Sequence, residues 1–83
     1  MKNKLFVGNI SWDATDSDLS KLFAEVGEVV SAQIVMDKLT GRSRGFGFVE
    51  MATDELAEAA IKALDGKDFL GRPITVNVAR PKE

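Results

Sequence analysis

Three phenylalanines stand in two short β-prone segments of this chain. Phe6 lies in Lys4-Leu5-Phe6-Val7-Gly8-Asn9, and Phe46 and Phe48 lie in Arg44-Gly45-Phe46-Gly47-Phe48-Val49-Glu50-Met51. Each segment also carries a base on the same alternation, Lys4 in the first and Arg44 in the second. Such a set suits one kind of chemistry. A flat π face receives another flat ring, and a cation beside it receives a negative charge. A single strand of nucleic acid offers both together, and stacking is worth roughly 1–3 kcal/mol per base. A duplex keeps its bases paired, so the matching ligand is single-stranded. Covalent chemistry is poorly provided for, because the chain has no cysteine and no histidine. The usual nucleophile, the usual general base near neutral pH and the commonest metal ligands are therefore missing. The expectation is a binding domain with no enzymatic activity, no cofactor and no metal.

The 83 residues make one domain, with no room for a second core. An apolar fraction of 45% and a charged fraction of 29% are ordinary for a soluble globular chain. The run Leu5 to Ile10 is too short for a signal-peptide core or a membrane span and is followed by no small-residue cleavage site. A cytoplasmic protein without membrane contact is expected.

The elements that must position the aromatic residues can be read in order. Lys4 to Asn9 alternates and is β-rich, a first strand. Thr15-Asp16-Ser17-Asp18 is a near capping box, with Asp in place of the commoner Glu, and Ala14 with Leu19 can form a staple. Leu19, Leu22, Phe23 and Val26 follow at helical spacing, and Gly27 stands where a C-terminal cap belongs. Val29 to Met36 is a β-branched second strand, and Asp37 to Arg42 a polar connection. Arg44 to Met51 is the third strand. Thr53 caps a second helix with Ala57, Ala60, Ile61 and Leu64 on one side, and Gly66 ends it. Lys67 to Arg72 makes a turn, and Pro73 opens a last strand over Ile74 to Ala79.

The order is β-α-β-β-α-β. Right-handed crossovers place both helices on one side of an antiparallel sheet. The fold class is α+β, a ferredoxin-like βαββαβ sandwich with strand order 4-1-3-2. Strands one and three are central, and the second side of the sheet has no helix to cover it.

Which side of the central strands faces the helices follows from alternation. The third strand splits into Arg44, Phe46, Phe48 and Glu50 against Gly45, Gly47, Val49 and Met51, and the first into Lys4, Phe6 and Gly8 against Leu5, Val7 and Asn9. Phenylalanines usually go inside, and the third strand alone leaves the choice even. Burying the phenylalanines would, however, also bury Lys4, Arg44 and Glu50, while Leu5, Val7, Val49 and Met51 faced water. The opposite choice buries an uncharged set, with the glycines letting the helices approach. The three phenylalanines are then exposed together, an apolar patch that a soluble monomer rarely keeps without a partner.

At these residues a family resemblance enters. Arg44 to Met51 resembles the octamer signature of the RNA recognition motif, Lys/Arg-Gly-Phe/Tyr-Gly/Ala-Phe-Val-x-Phe/Tyr, and Leu5 to Ile10 resembles its companion hexamer. Two signatures on the two central strands extend the resemblance over nearly the whole chain, one domain over residues 3–80 with 81–83 as a short tail. The chain also looks similar to the small single-motif RNA-binding proteins of bacteria. The resemblance implies binding of short single-stranded RNA, with Phe6 and Phe48 each stacking a base, Phe46 packing on sugars or inserting between nucleotides, and Arg44 meeting a phosphate. Asn77, Ala79 and Arg80 match positions that read base edges, partly through main chain. Gln33 and Val35 line the same surface from the second strand, and Lys4 and Arg42 supply further positive charge. Met51 departs from the octamer, which usually ends in an aromatic. It faces the core, where methionine is an adaptable filler.

A net charge of −2 and a pI of about 5.1 argue against a polyanionic ligand only as averages. Asp13 to Glu28 and Thr53 to Asp65 hold nine acids and two bases, a balance of −7. The rest holds nine bases and four acids, a balance of +5. An acidic back and a basic front would orient the chain toward RNA, though two solvated, dipole-matched helix faces would show the same counts.

Gly45-x-Gly47 lacks the third glycine and the helix of a phosphate loop. Trp12 reads as a loop-packing residue, with an RNA contact as the lesser alternative, and Phe69 as a satellite core residue in the turn. Asp37 and Lys38 suit either a ligand contact or a solvated loop. An enzyme on this topology, of the acylphosphatase kind, needs an arginine near the loop after the first strand, and none occurs before Arg42. A protein-interaction module using the same aromatic side is the remaining alternative, and single-stranded DNA a secondary ligand because stacking does not sense the 2′-hydroxyl. The chain is expected to act as a monomer.

Overall fold

Caps and alternation carry directly into the elements. The computed structural model describes residues 3–41 and 43–79 and, at Ser43, the backbone only. Strand β1 is Lys4–Gly8, helix α1 Asp16–Ala24, strand β2 Val29–Met36, strand β3 Ser43–Met51 and helix α2 Asp54–Leu64. A two-stranded hairpin follows, β4 Asp68–Phe69 and β5 Arg72–Pro73, before the last strand, β6 Thr75–Val78. The main sheet runs β2-β3-β1-β6 with antiparallel neighbours throughout, the ferredoxin-like βαββαβ arrangement.

Both helices start on side-chain caps. The Thr15 hydroxyl accepts from the Asp18 N–H at 3.1 Å and the Asp18 carboxylate accepts from the Thr15 N–H at 3.1 Å, so the capping box closes on both arms. Thr53 accepts from the Leu56 N–H at 3.1 Å. Two carboxylates then tie helix ends to the edge strands. Asp16 accepts from the Ile34 N–H of β2 at 2.7 Å, and Asp65 accepts from the Val76 N–H of β6 at 3.0 Å. These bonds set where each helix lies along the sheet.

The core forms between helices and sheet. Leu5, Val7, Val49, Met51 and Val76 point into it with no exposed surface, and meet Leu19, Leu22 and Phe23 of α1 and Ala57, Ala60 and Leu64 of α2. Fully burying a side chain of Leu or Phe size contributes about 1.5–3 kcal/mol, which makes this layer the main source of stability. Met51, where the octamer usually ends in an aromatic, is one of these fully buried side chains.

Three local readings are corrected. Gly27 is not a left-handed cap: α1 ends at Glu25 in right-handed geometry, and positive φ occurs at other glycines. Gly27 is small because a Cβ there would come 2.4 Å from Leu56 Cδ2 of the facing helix. Gly47 does not make room for a helix either. A Cβ there would lie 2.5 Å from the Gln33 carbonyl oxygen, so it is the backbone of neighbouring β2 that requires glycine. Pro73, finally, does not open the last strand. It pairs with Asp68 in the hairpin, and β6 begins at Thr75.

Candidate nucleic-acid interface

The second side of the sheet gathers the aromatic set. Register places Gln33 opposite Phe48, Phe48 opposite Phe6, and Phe6 opposite Asn77, one continuous row from edge to edge. Phe46, two residues before Phe48 on β3, completes a triangle. Ring centroids are 5.8 Å apart for Phe6–Phe46, 5.9 Å for Phe6–Phe48 and 6.3 Å for Phe46–Phe48. All three are half-buried, and they belong neither to the core cluster nor to the hydrophobics packed against it. Edge and tilted contacts among the rings supply part of their cover.

Charge frames the triangle. The Lys4 ammonium lies 5.5 Å from the Phe48 ring centroid, within cation–π reach. Arg44 is exposed at the start of β3. Glu50 is half-buried opposite Lys4 and Ser31, so the rim also holds one carboxylate.

The remaining expected site residues fall as follows. Gln33 and Asn77 are exposed at the two ends of the aromatic row, and Val35 is half-buried on β2 beside a register shift between Ile34 and Met36. Ala79 is half-buried just past β6, and its N–H donates to the Lys4 carbonyl at 2.8 Å. That donor is committed to the fold, which narrows any main-chain reading at Ala79 to its carbonyl. Arg42 and Arg80 lie outside the described residues.

The positive front is leaner than its count. Arg72 donates to the Asn9 carboxamide oxygen at 2.8 Å, and Lys67 sits 3.9 Å from Glu25 on the helical side. Both belong to the nine bases outside the helix regions, and both are engaged in the scaffold. Asn9, at φ 56, also donates to the Pro73 carbonyl at 2.6 Å. It joins the end of β1 to the hairpin. Asp37 builds its own loop, its carboxylate accepting from the Leu39 N–H at 2.8 Å and its carbonyl from the Gly41 N–H at 2.8 Å.

The loop-packing expectation does not hold for Trp12. It is 64% exposed, with its indole nitrogen beside Gly45 of β3. Phe69, by contrast, is buried in the core as read.

A four-stranded antiparallel sheet backed by two helices, with aromatic residues clustered on its open central strands, defines the RNA recognition motif, and the model of that family matches residues 5–75. The chain belongs to this family. It is 51% identical to the protein RbpE of Nostoc sp. over 79 residues, which cover 95% of this chain and 80% of RbpE. It is also 51% identical to the mitochondrial glycine-rich RNA-binding protein 4 of Arabidopsis thaliana, covering 95% of this chain and 58% of that protein. Among solved structures, a Sxl-lethal protein/RNA complex superposes with a TM-score of 0.88 at 38% identity, over 94% of this chain and 48% of that one.

Proposed function

We propose that this domain binds short single-stranded RNA on the open side of its sheet. Phe6 and Phe48 each stack a base, and Phe46 packs on the sugars between them. Lys4 and Arg44 meet phosphates, with Arg42 adding charge. Gln33 and Val35 line the surface from β2, while Asn77, Ala79 and Arg80 read base edges at the other end. The role is binding without catalysis, and single-stranded DNA is a weaker second ligand. One observation carries the proposal: three phenylalanine rings within 5.8–6.3 Å of one another stand outside the core, beside Lys4 and Arg44. Membership in the family adds support, as does the RNA complex formed by the Sxl-lethal relative.

The test is a salt titration of binding to single-stranded RNA, run on the native chain and on Phe48→Ala. Two to four phosphate contacts give a slope of log affinity against log salt of roughly −1.4 to −2.8. Losing one stacked base weakens binding by about 1–3 kcal/mol. Unchanged affinity in Phe48→Ala would remove the sheet from the site. Binding indifferent to salt would favour hydrophobic docking of a peptide on the same rings.

A further inference from the structure

Among the described residues, Glu50 is the only acid on the open side of β1 and β3, in the company of Lys4, Phe6, Arg44, Phe46 and Phe48. It is held there firmly. Val49 and Met51 on either side of it are fully buried. The Met51 N–H donates to the Asn3 carbonyl at 2.8 Å, and the buried Asn3 carboxamide donates to the Met51 carbonyl at 3.0 Å. The backbone next to Glu50 is therefore clamped to the residue before β1, and the carboxylate projects from a rigid strand.

Nothing inside the domain takes up its charge. Lys4 and Ser31 are its register partners, one on each neighbouring strand. Yet among the described residues no ion pair and no hydrogen bond engages the carboxylate. The Lys4 ammonium lies over the Phe48 ring instead, 5.5 Å from its centroid. Glu50 is half-buried, so a ligand laid across the sheet must give it donors or leave a charge stranded. Phosphates cannot answer, since like charges repel. The donors of a single strand are its 2′-hydroxyls and the N–H groups on its base edges.

Base edges differ in what they offer a carboxylate, which is an acceptor only. Guanine sets two donors side by side, N1–H and the N2 amine, and both carboxylate oxygens can accept at once. Adenine and cytosine place an acceptor beside their amine, and uracil flanks its one N–H with carbonyls. Each of these turns a lone pair on the second carboxylate oxygen.

We infer that Glu50 selects guanine for the base seated on Phe48. The two residues are two apart on the same side of β3, so the edge of a base stacked on that ring reaches toward the carboxylate. This rests on the reading of the sheet as an RNA surface, and gives one position of that surface a base preference.

The probes are RNA strands of about eight nucleotides, all uridine except for one central guanosine, inosine, adenosine or cytidine. Binding of each to the full chain is followed by fluorescence anisotropy. The guanosine strand binds about 5- to 150-fold more tightly than the adenosine and cytidine strands. Inosine keeps N1–H but lacks the N2 amine, and loses most of that preference. In Glu50→Gln the guanosine strand falls to the level of the adenosine strand, because a carboxamide offers one acceptor and one donor. The inosine arm needs no variant, so it holds whatever the substitution does to folding. If the native chain shows no guanosine preference, if inosine binds like guanosine, or if Glu50→Gln keeps the preference, the inference fails and the sheet reading stands. A loss in Glu50→Gln that is equal for every strand means the carboxylate meets ribose hydroxyls, and overturns it likewise. If Phe48→Ala binds the guanosine strand as the native chain does, the ligand lies off the sheet and both fail.

Discussion

The two sides of β1 and β3 are built from the same strands and turned to opposite ends. Toward the helices stand Leu5, Val7, Val49 and Met51, each without exposed surface. Toward the open side stand Phe6, Phe46 and Phe48, larger and no less apolar, yet half-buried and outside the core. The five phenylalanines repeat the division, since Phe23 and Phe69 are buried where the other three are not. Hydrophobicity of a single residue therefore did not decide its place. The company it keeps on its own side of the strand did: Lys4, Arg44 and Glu50 share that side with the phenylalanines, and charges cannot follow them into a core without partners.

If the two sides differ in this way, substitutions should separate stability from binding. The largest expected effect is Phe23→Ala, a buried ring removed from α1, which should cost about 3–5 kcal/mol in urea unfolding. A loss no greater than that of Phe48→Ala would erase the distinction between the sides. Gly47→Ala comes next, at about 2–3 kcal/mol, because the new Cβ must push the β2 backbone away from the Gln33 carbonyl. A shift of the urea midpoint near zero would mean that β2 yields without cost. The closest comparison uses two adjacent residues. Val49→Ala should cost about 2 kcal/mol of stability and leave affinity per folded molecule unchanged. Phe48→Ala should cost about 1 kcal/mol of stability, from its lost ring contacts, while affinity falls. The reverse order in stability would mean the sides are inverted.

Much of this was legible in the residues alone. The capping box at Thr15 and Asp18 was readable because its partners are three residues apart, and local hydrogen bonds follow local spacing. The inward and outward sets of β1 and β3 were readable because alternation has period two, and the charges on one set removed the ambiguity. Other features had no local signal. Gly27 and Gly47 announce that something comes close without saying what. The answers, a leucine on the other helix and a carbonyl on the next strand, are long-range contacts. Arg72 adds to the basic count in sequence, but its bond to Asn9, across sixty-three positions, engages it in the scaffold. Trp12 read as packing because a large aromatic in a loop usually is.

The sequence by itself determined the order of the helices and main-sheet strands, the helix N-caps and the side of the sheet left open, since each depends on spacing within a few residues or on alternation along one strand. Only the tertiary structure decided which glycine serves which neighbour, which cations remain for a ligand, and that Trp12 stands beside β3. Those depend on approaches between segments far apart in the chain, set by how helices and strands pack once the core has formed.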